Sequence, residues 1–140
     1  MKAIQATTEE QLNDAFKIRK KVFVDEQHVD VAEEIDEYEN DSIHFVLYDD
    51  QKAVAAGRFR VVEGKGKVER ICVLPPYRGK GAGKMIMDAI HSYASGMDIK
   101  VLKLNAQTHA IPFYEKLGYQ VVSSEFLDAG IPHKTMEKEV

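Results

Sequence analysis

The chain has 140 residues, with 19 Lys and Arg against 23 Asp and Glu, a formal charge of −4 and 44% hydrophobic residues. That balance describes one soluble globular domain, residues 1–140, and its acidity argues against a nucleic-acid-binding module. The apolar runs are too short to span a bilayer, a single cysteine forms no intrachain disulfide, no Cys/His cluster has zinc-ligand spacing, and Met1–Thr8 lacks a secretory core, so a cytoplasmic protein without a metal is expected.

Residues 2–6 read as a short first strand. Thr7 and Thr8, each followed three residues later by Glu10 or Gln11, are overlapping capping boxes that start a helix. Leu12, Ala15, Phe16, Arg19, Val22 and Phe23 form one stripe of that helix. Arg19 interrupts the stripe. It reads as an arginine that packs its stem and carries its charge to the edge, the alternative being a buried partner for carboxylates in 25–36.

Residues 27–42 lack periodicity and read as an acidic loop with a helical turn near Ala32–Asp36. Ile43–Tyr48 alternates as a strand. Ala53–Val62 and Lys67–Leu74 read as an antiparallel hairpin around Glu63-Gly64-Lys65-Gly66, which sets Arg60 opposite Arg70 and Arg58 opposite Cys72. Like charges facing on a sheet are unfavourable, so carboxylates are expected nearby. Pro75-Pro76 stops the strand. Ile86, Ala89, Ile90, Tyr93 and Met97 mark a second amphipathic helix, and Val101–Ala106 a buried strand. A short helix over Ala110–Leu117 ends at Gly118. Tyr119–Ser123 and His133–Lys138 close the chain as strands joined by Glu125–Pro132.

Charge is segregated. Residues 25–50 carry eleven carboxylates and no Lys or Arg, whereas 58–84 carry eight cations against Glu63 and Glu69. Opposite fields of this kind suit an enzyme that joins an anionic cofactor to a cationic substrate. The plainer account is two solvated faces.

The segment Arg70-Ile71-Cys72-Val73-Leu74-Pro75-Pro76-Tyr77-Arg78-Gly79-Lys80-Gly81-Ala82-Gly83-Lys84 is a strand, a proline stop, and alternating glycines and cations that open a helix. Glycine lets backbone approach a ligand closely, and the free N–H groups of a helix N-terminus attract anions. The segment reads as a phosphate or pyrophosphate cradle. A Walker A loop would need glycine at Arg78 and Ser or Thr at Met85. A dinucleotide fingerprint would need glycine at Lys84. Both patterns fail.

Arg78-Gly79-Lys80-Gly81-Ala82-Gly83 resembles the R/Q-x-x-G-x-G/A motif of the GNAT N-acetyltransferases. Pro112-Phe113-Tyr114-Glu115-Lys116-Leu117-Gly118-Tyr119 resembles that family's F-Y-x-x-x-G-F/Y signature. Arg19–Gln27, Glu33–Asp36 and Asn105-Ala106-Gln107 resemble its small bacterial ElaA/YjcF-like branch. The resemblance implies an α+β fold, a mixed twisted sheet of six to seven strands flanked by about four helices, with Lys67–Leu74 parallel to Val101–Ala106. It implies acetyl transfer from acetyl-CoA to a primary amine, in a ternary complex, by a monomer or homodimer.

By the same resemblance, Arg78, Gly79, Lys80, Gly81, Ala82, Gly83 and Lys84 would bind the pyrophosphate of coenzyme A. Ile71, Cys72 and Val73 would offer backbone groups to the pantetheine arm and acetyl carbonyl, and Asn105 would contact that arm. Tyr114 would be the acid for the departing thiolate. The strand glutamate that some members use as base is replaced by Val68, and Glu69 should face the other way. Glu26, Glu34, Asp36, His44 and Gln107 remain as acceptor-side candidates, with His109 near the same mouth. Cys72 reads as a small hydrophobe rather than a nucleophile. The alternative function is a non-catalytic acyl-CoA-binding module that acts through protein contacts.

Overall fold

A computed structural model describes residues 1–140. The chain runs β1 (Lys2–Gln5), α1 (Glu9–Arg19), α2 (Val31–Glu34), β2 (Ile43–Asp49), β3 (Lys52–Val62), β4 (Lys65–Val73), α3 (Ala82–Ser95), β5 (Val101–Gln107), α4 (Ile111–Lys116), β6 (Gln120–Val121), β7 (Phe126–Asp128) and β8 (Ile131–Glu139). All eight strands form one sheet in the order β1-β2-β3-β4-β5-β8-β6, with β7 also on β8. The sequence leads one to expect six or seven. The additional strand is β7, which folds back on β8 within the segment read as a connector, Glu125–Pro132.

The capping box forms at Thr8 alone: its Oγ1 accepts the Gln11 N–H at 3.1 Å, and Gln11 Oε1 accepts the Thr8 N–H at 3.2 Å. After Arg19 the helix widens to i→i+5 hydrogen bonding over Lys20–Glu26, a departure common at functional sites. α1, with Ala15 and Ile18, and the widened turn after it, with Val22, cover one sheet face at Val46, Ala56 and Cys72. α3 covers the other with Ile86, Met87 and Ile90, each contributing about 1.5–3 kcal/mol by leaving water. Both faces of β2 are therefore buried, and His44 is buried with its neighbours.

Glu63 and Gly64 alone make the β3–β4 turn, both at positive φ, the conformation of a tight two-residue hairpin. The register pairs Arg58 with Glu69 and Arg60 with Lys67, not with Cys72 and Arg70. A bulge follows between Ala56 and Arg58, where Arg70 takes φ 59°. The bulge reverses the facing of β4. Val68, Ile71 and Val73 face the α3 side, and Cys72 faces α1.

β4 and β5 run parallel but pair only at Gly66–Leu102, Lys67–Lys103 and Val68–Leu104. Beyond Val68 each strand stays paired with its outer neighbour, β4 with β3 and β5 with β8. The sheet splits there into a V.

Candidate active site

A cavity of about 750 Å³ occupies the V. Its floor is β4 from Lys67 to Val73 and β5 from Leu104 to Gln107. Val73, Tyr77, Arg78, Gly79, Gly81 and the opening of α3 line one end. Phe23, Glu26, Gln27 and Val29 close over it from the widened helix and the loop after it, and Asp128, Ala129, Ile131 and His133 from the β7–β8 hairpin.

At the glycine end, Gly79 and Gly81 have φ of 75° and 82°, and a Cβ on either would meet nothing within 4 Å. Gly81 is the N-cap of α3, with no side-chain cap. The first intrahelical bond runs from Met85 N–H to the Gly81 carbonyl, so the N–H groups of Ala82, Gly83 and Lys84 have no intrahelical acceptor. Gly83 serves packing instead: a Cβ there would sit 3.2 Å from the Phe113 ring. The Arg78 N–H is not free, because it donates to the Pro75 carbonyl at 3.2 Å. Its side chain donates to the Val73 carbonyl and grips Glu26. Lys84 pairs with Asp88, and Lys80 lies outside the cavity lining, 6.0 Å from the Tyr77 ring.

Along the floor, the Leu74 N–H donates to the Val54 carbonyl at 2.9 Å. Alternation then commits the Cys72 backbone to β3 as well and turns the Ile71 and Val73 amides toward the V. Of the three residues expected to offer backbone groups, Ile71 and Val73 are so placed and Cys72 is not. Burial pushes the Cys72 thiol up to about 12. Asn105 lines the opposite wall, its Oδ1 accepting from Thr135 Oγ1 at 2.9 Å. Gln107 Nε2 donates to Gln27 Oε1 at 2.8 Å, while its Oε1 accepts from His109 Nε2 at 2.7 Å.

Tyr114 enters the cavity from α4 and is 8% exposed. Its ring packs edge-on to Phe113 and Tyr119. Burial raises its pKa, so the phenol keeps its proton. The hydroxyl has no protein partner and is not among the sealed unpaired atoms, of which His44 Nδ1 is the only one.

The acidic candidates separate. Glu34 lines the cavity but is 3% exposed and held by Arg19 (2.7 Å) and Arg70 (3.1 Å). Asp36 pairs with Arg58 and Arg70, and neither it nor His44 lines the cavity. His44 donates from Nε2 to the Glu39 carbonyl at 2.8 Å, and burial lowers its pKa. Arg19 is fully buried with Glu34 and Glu39, so the buried-partner alternative holds. Glu69 joins Arg58, Arg60 and Lys67. The acidic segment is thus folded onto the arginines of β3 and β4. The carboxylates that line the cavity without an ion pair are Glu33 and Asp128, neither of which charge density alone would single out. His133 also lines it. Its place there follows from the pairing of β8 with β5, which no sequence spacing encodes.

A model of the acetyltransferase (GNAT) domain family matches residues 3–140. The chain is 55% identical over 140 residues to the uncharacterized N-acetyltransferase YjcF of Bacillus subtilis (strain 168), covering 99% of this chain and 100% of that one. Among solved structures it superposes on Escherichia coli ElaA with a TM-score of 0.85 at 24% identity, over 99% of this chain and 97% of ElaA. The PaiA N-acetyltransferase of Thermoplasma acidophilum, solved with coenzyme A, shares the fold at a TM-score of 0.75 and 15% identity over the whole of both chains.

Proposed function

Because the chain belongs to the GNAT acetyltransferase family, we propose that it moves the acetyl group of acetyl-CoA directly to a cationic primary amine in a ternary complex. The observation that carries this reading is the V between β4 and β5, whose lining combines an uncapped helix N-terminus with two unpaired carboxylates. Coenzyme A suits the residues present. Open space over Gly79 and Gly81 leaves room for a pyrophosphate against the first turn of α3, and Arg78 and Lys84 add charge. The Ile71 and Val73 N–H groups and Asn105 Nδ2, whose Oδ1 is taken by Thr135, are free to hydrogen-bond an amide-bearing arm.

Acetyl-CoA supplies an activated acyl group on sulfur. An N–H of β4 aimed at the acyl oxygen stabilises the charge that develops there. Tyr114 holds a proton at its hydroxyl for the departing sulfur. A thiol raised to about 12 is not a standing nucleophile, which favours direct transfer over an acyl-Cys72 route. Glu33 and Asp128 attract the ammonium acceptor, since Glu26, Glu34 and Asp36 are engaged by arginines. Thiol release from acetyl-CoA against a panel of mono- and diamines tests the reading. Tight coenzyme A binding without thiol release for any amine would favour the acyl-CoA-sensing alternative.

A further inference from the structure

We propose that His133 is the base that converts the bound ammonium acceptor into the nucleophilic amine, a role that rests on the acetyl-transfer reading of the same cavity. His133 is 8% exposed, in β8, and lines the cavity. Its Nδ1 lies 2.6 Å from the Ile131 carbonyl oxygen. A carbonyl only accepts, so Nδ1 carries the ring proton in the neutral imidazole and the lone pair sits on Nε2. Nε2 has no protein partner and is not sealed from solvent, and the residue that carries it lines the cavity. The ring is fixed by stacking on Phe126, with centroids 6.0 Å apart at 21°, and by the pairing of its strand with Gln107. A base so held is pre-oriented.

The register places it. Asn105 pairs with Thr135 and Gln107 with His133, so Asn105 and His133 share one face of the β5–β8 ladder. His133 stands one step from Asn105 in the direction of Asp128, which pairs with Ile131. The other candidates are engaged: Glu26, Glu34 and Asp36 hold guanidinium groups, and His44 does not line the cavity. His109 is exposed and spends its Nε2 on Gln107.

In the proposed step Nε2 takes one proton from R–NH3⁺. The amine lone pair forms the C–N bond as the C–S bond breaks, its electron pair leaving on sulfur. Sulfur takes the Tyr114 proton, Tyr114 is reprotonated from water, and nitrogen gives its second proton to water. His133 then releases its own, so ammonium and thioester become amide, thiol and one proton.

Two measurements on the full chain test this. Imidazole 15N NMR should show His133 protonated at Nδ1 and bare at Nε2, and an Nε2–H tautomer overturns the proposal without reference to activity. In thiol-release assays with ethylamine, charged at neutral pH, and 2,2,2-trifluoroethylamine, of similar shape but mostly uncharged, His133→Gln should lose about 10²–10⁴-fold in kcat/KM toward ethylamine. It should change little toward the fluorinated amine or in coenzyme A affinity. Equal losses on both amines, or none, overturn the base role and leave the acetyl-transfer reading standing. A wild type inert toward these two amines and toward every member of the amine panel overturns the two together. If His133→Gln shifts the melting transition, His133→Asn provides the same comparison.

Discussion

Arg78 grips Glu26 with both terminal nitrogens, each N–O distance 2.7 Å, across the mouth of the V. These hydrogen bonds hold the Glu26 carboxyl below its usual range, and they occupy the guanidinium proposed for the coenzyme A phosphates. Glu26→Gln removes that competitor. Exposed pairs are worth about 0–1 kcal/mol, so calorimetry should find coenzyme A bound up to about fivefold more tightly. Weaker binding would mean that Glu26 itself supports the ligand.

Gly81→Asp places a carboxylate beside the N–H groups of α3, where the proposed pyrophosphate goes. The site has open space, so the folding cost is the positive φ alone, about 1–2 kcal/mol. Coenzyme A binding should be lost from a protein that still melts cooperatively. Retained affinity would remove the pyrophosphate from this turn.

Tyr114→Phe should lower kcat and leave the acetyl-CoA KM near its original value, because the proposed role of the hydroxyl falls at the departure of sulfur. General acid catalysis typically contributes about 10²–10⁴-fold, and a thiolate is a good enough leaving group to favour the low end. Unchanged turnover would return Tyr114 to the aromatic cluster with Phe113 and Tyr119.

Glu34→Gln and Asp128→Asn should have opposite phenotypes. Glu34 is buried between Arg19 and Arg70, and breaking a buried pair costs about 3–5 kcal/mol, so its loss should appear in thermal denaturation, with kinetics of the folded fraction intact. Asp128, unpaired and exposed, should leave the melting transition in place and raise the KM for a cationic amine. An unchanged KM in Asp128→Asn would remove that carboxylate from acceptor binding.

Acid should unfold the protein through the carboxylates that the arginines hold down, which excludes Glu34, whose pKa burial raises. Against the upward push of burial, hydrogen bonds and charge from Arg19 hold Glu39 at about 2, below its ordinary 4.5. Asp36 and Glu69 shift the same way under Arg58 and Arg60. A depressed carboxylate gives its full stabilisation above its unfolded pKa and loses it as pH falls toward the folded one. Urea midpoints should therefore fall from about pH 4.5 toward pH 2, and Glu39→Gln should flatten that dependence. A midpoint independent of pH in this window would mean the cluster contributes nothing.

The glycine turn and α3 are legible because local chemistry dictates them: a proline stop, alternating glycines and a helical stripe from Ile86; the parallel pair follows from the family resemblance alone. The acceptor side is not legible. The turn takes two residues, Glu63 and Gly64, where a four-residue turn was expected, and this alone moves Arg58 and Arg60 opposite Glu69 and Lys67. The bulge beyond Arg58 then breaks the strand alternation and turns Cys72 to the α1 side. Glu34 and Asp36 drew notice as charges in an acidic run, yet their partners lie on β3 and β4, a tertiary fact that no spacing encodes. His133 went unremarked for a related reason: its proton position depends on the Ile131 carbonyl and its outlook on a hairpin read as a plain connector.

The split between β4 and β5 leaves two edges inside the sheet, with amides at Ile71 and Val73 that no strand satisfies. A molecule seated there completes the sheet like a missing strand, and it does so only in the folded state. Resistance to unfolding then rises with the logarithm of its concentration, about 2.7 kcal/mol at a hundredfold excess over Kd. The amount of folded protein in a cell would thus report how well supplied that cell is with acyl donor.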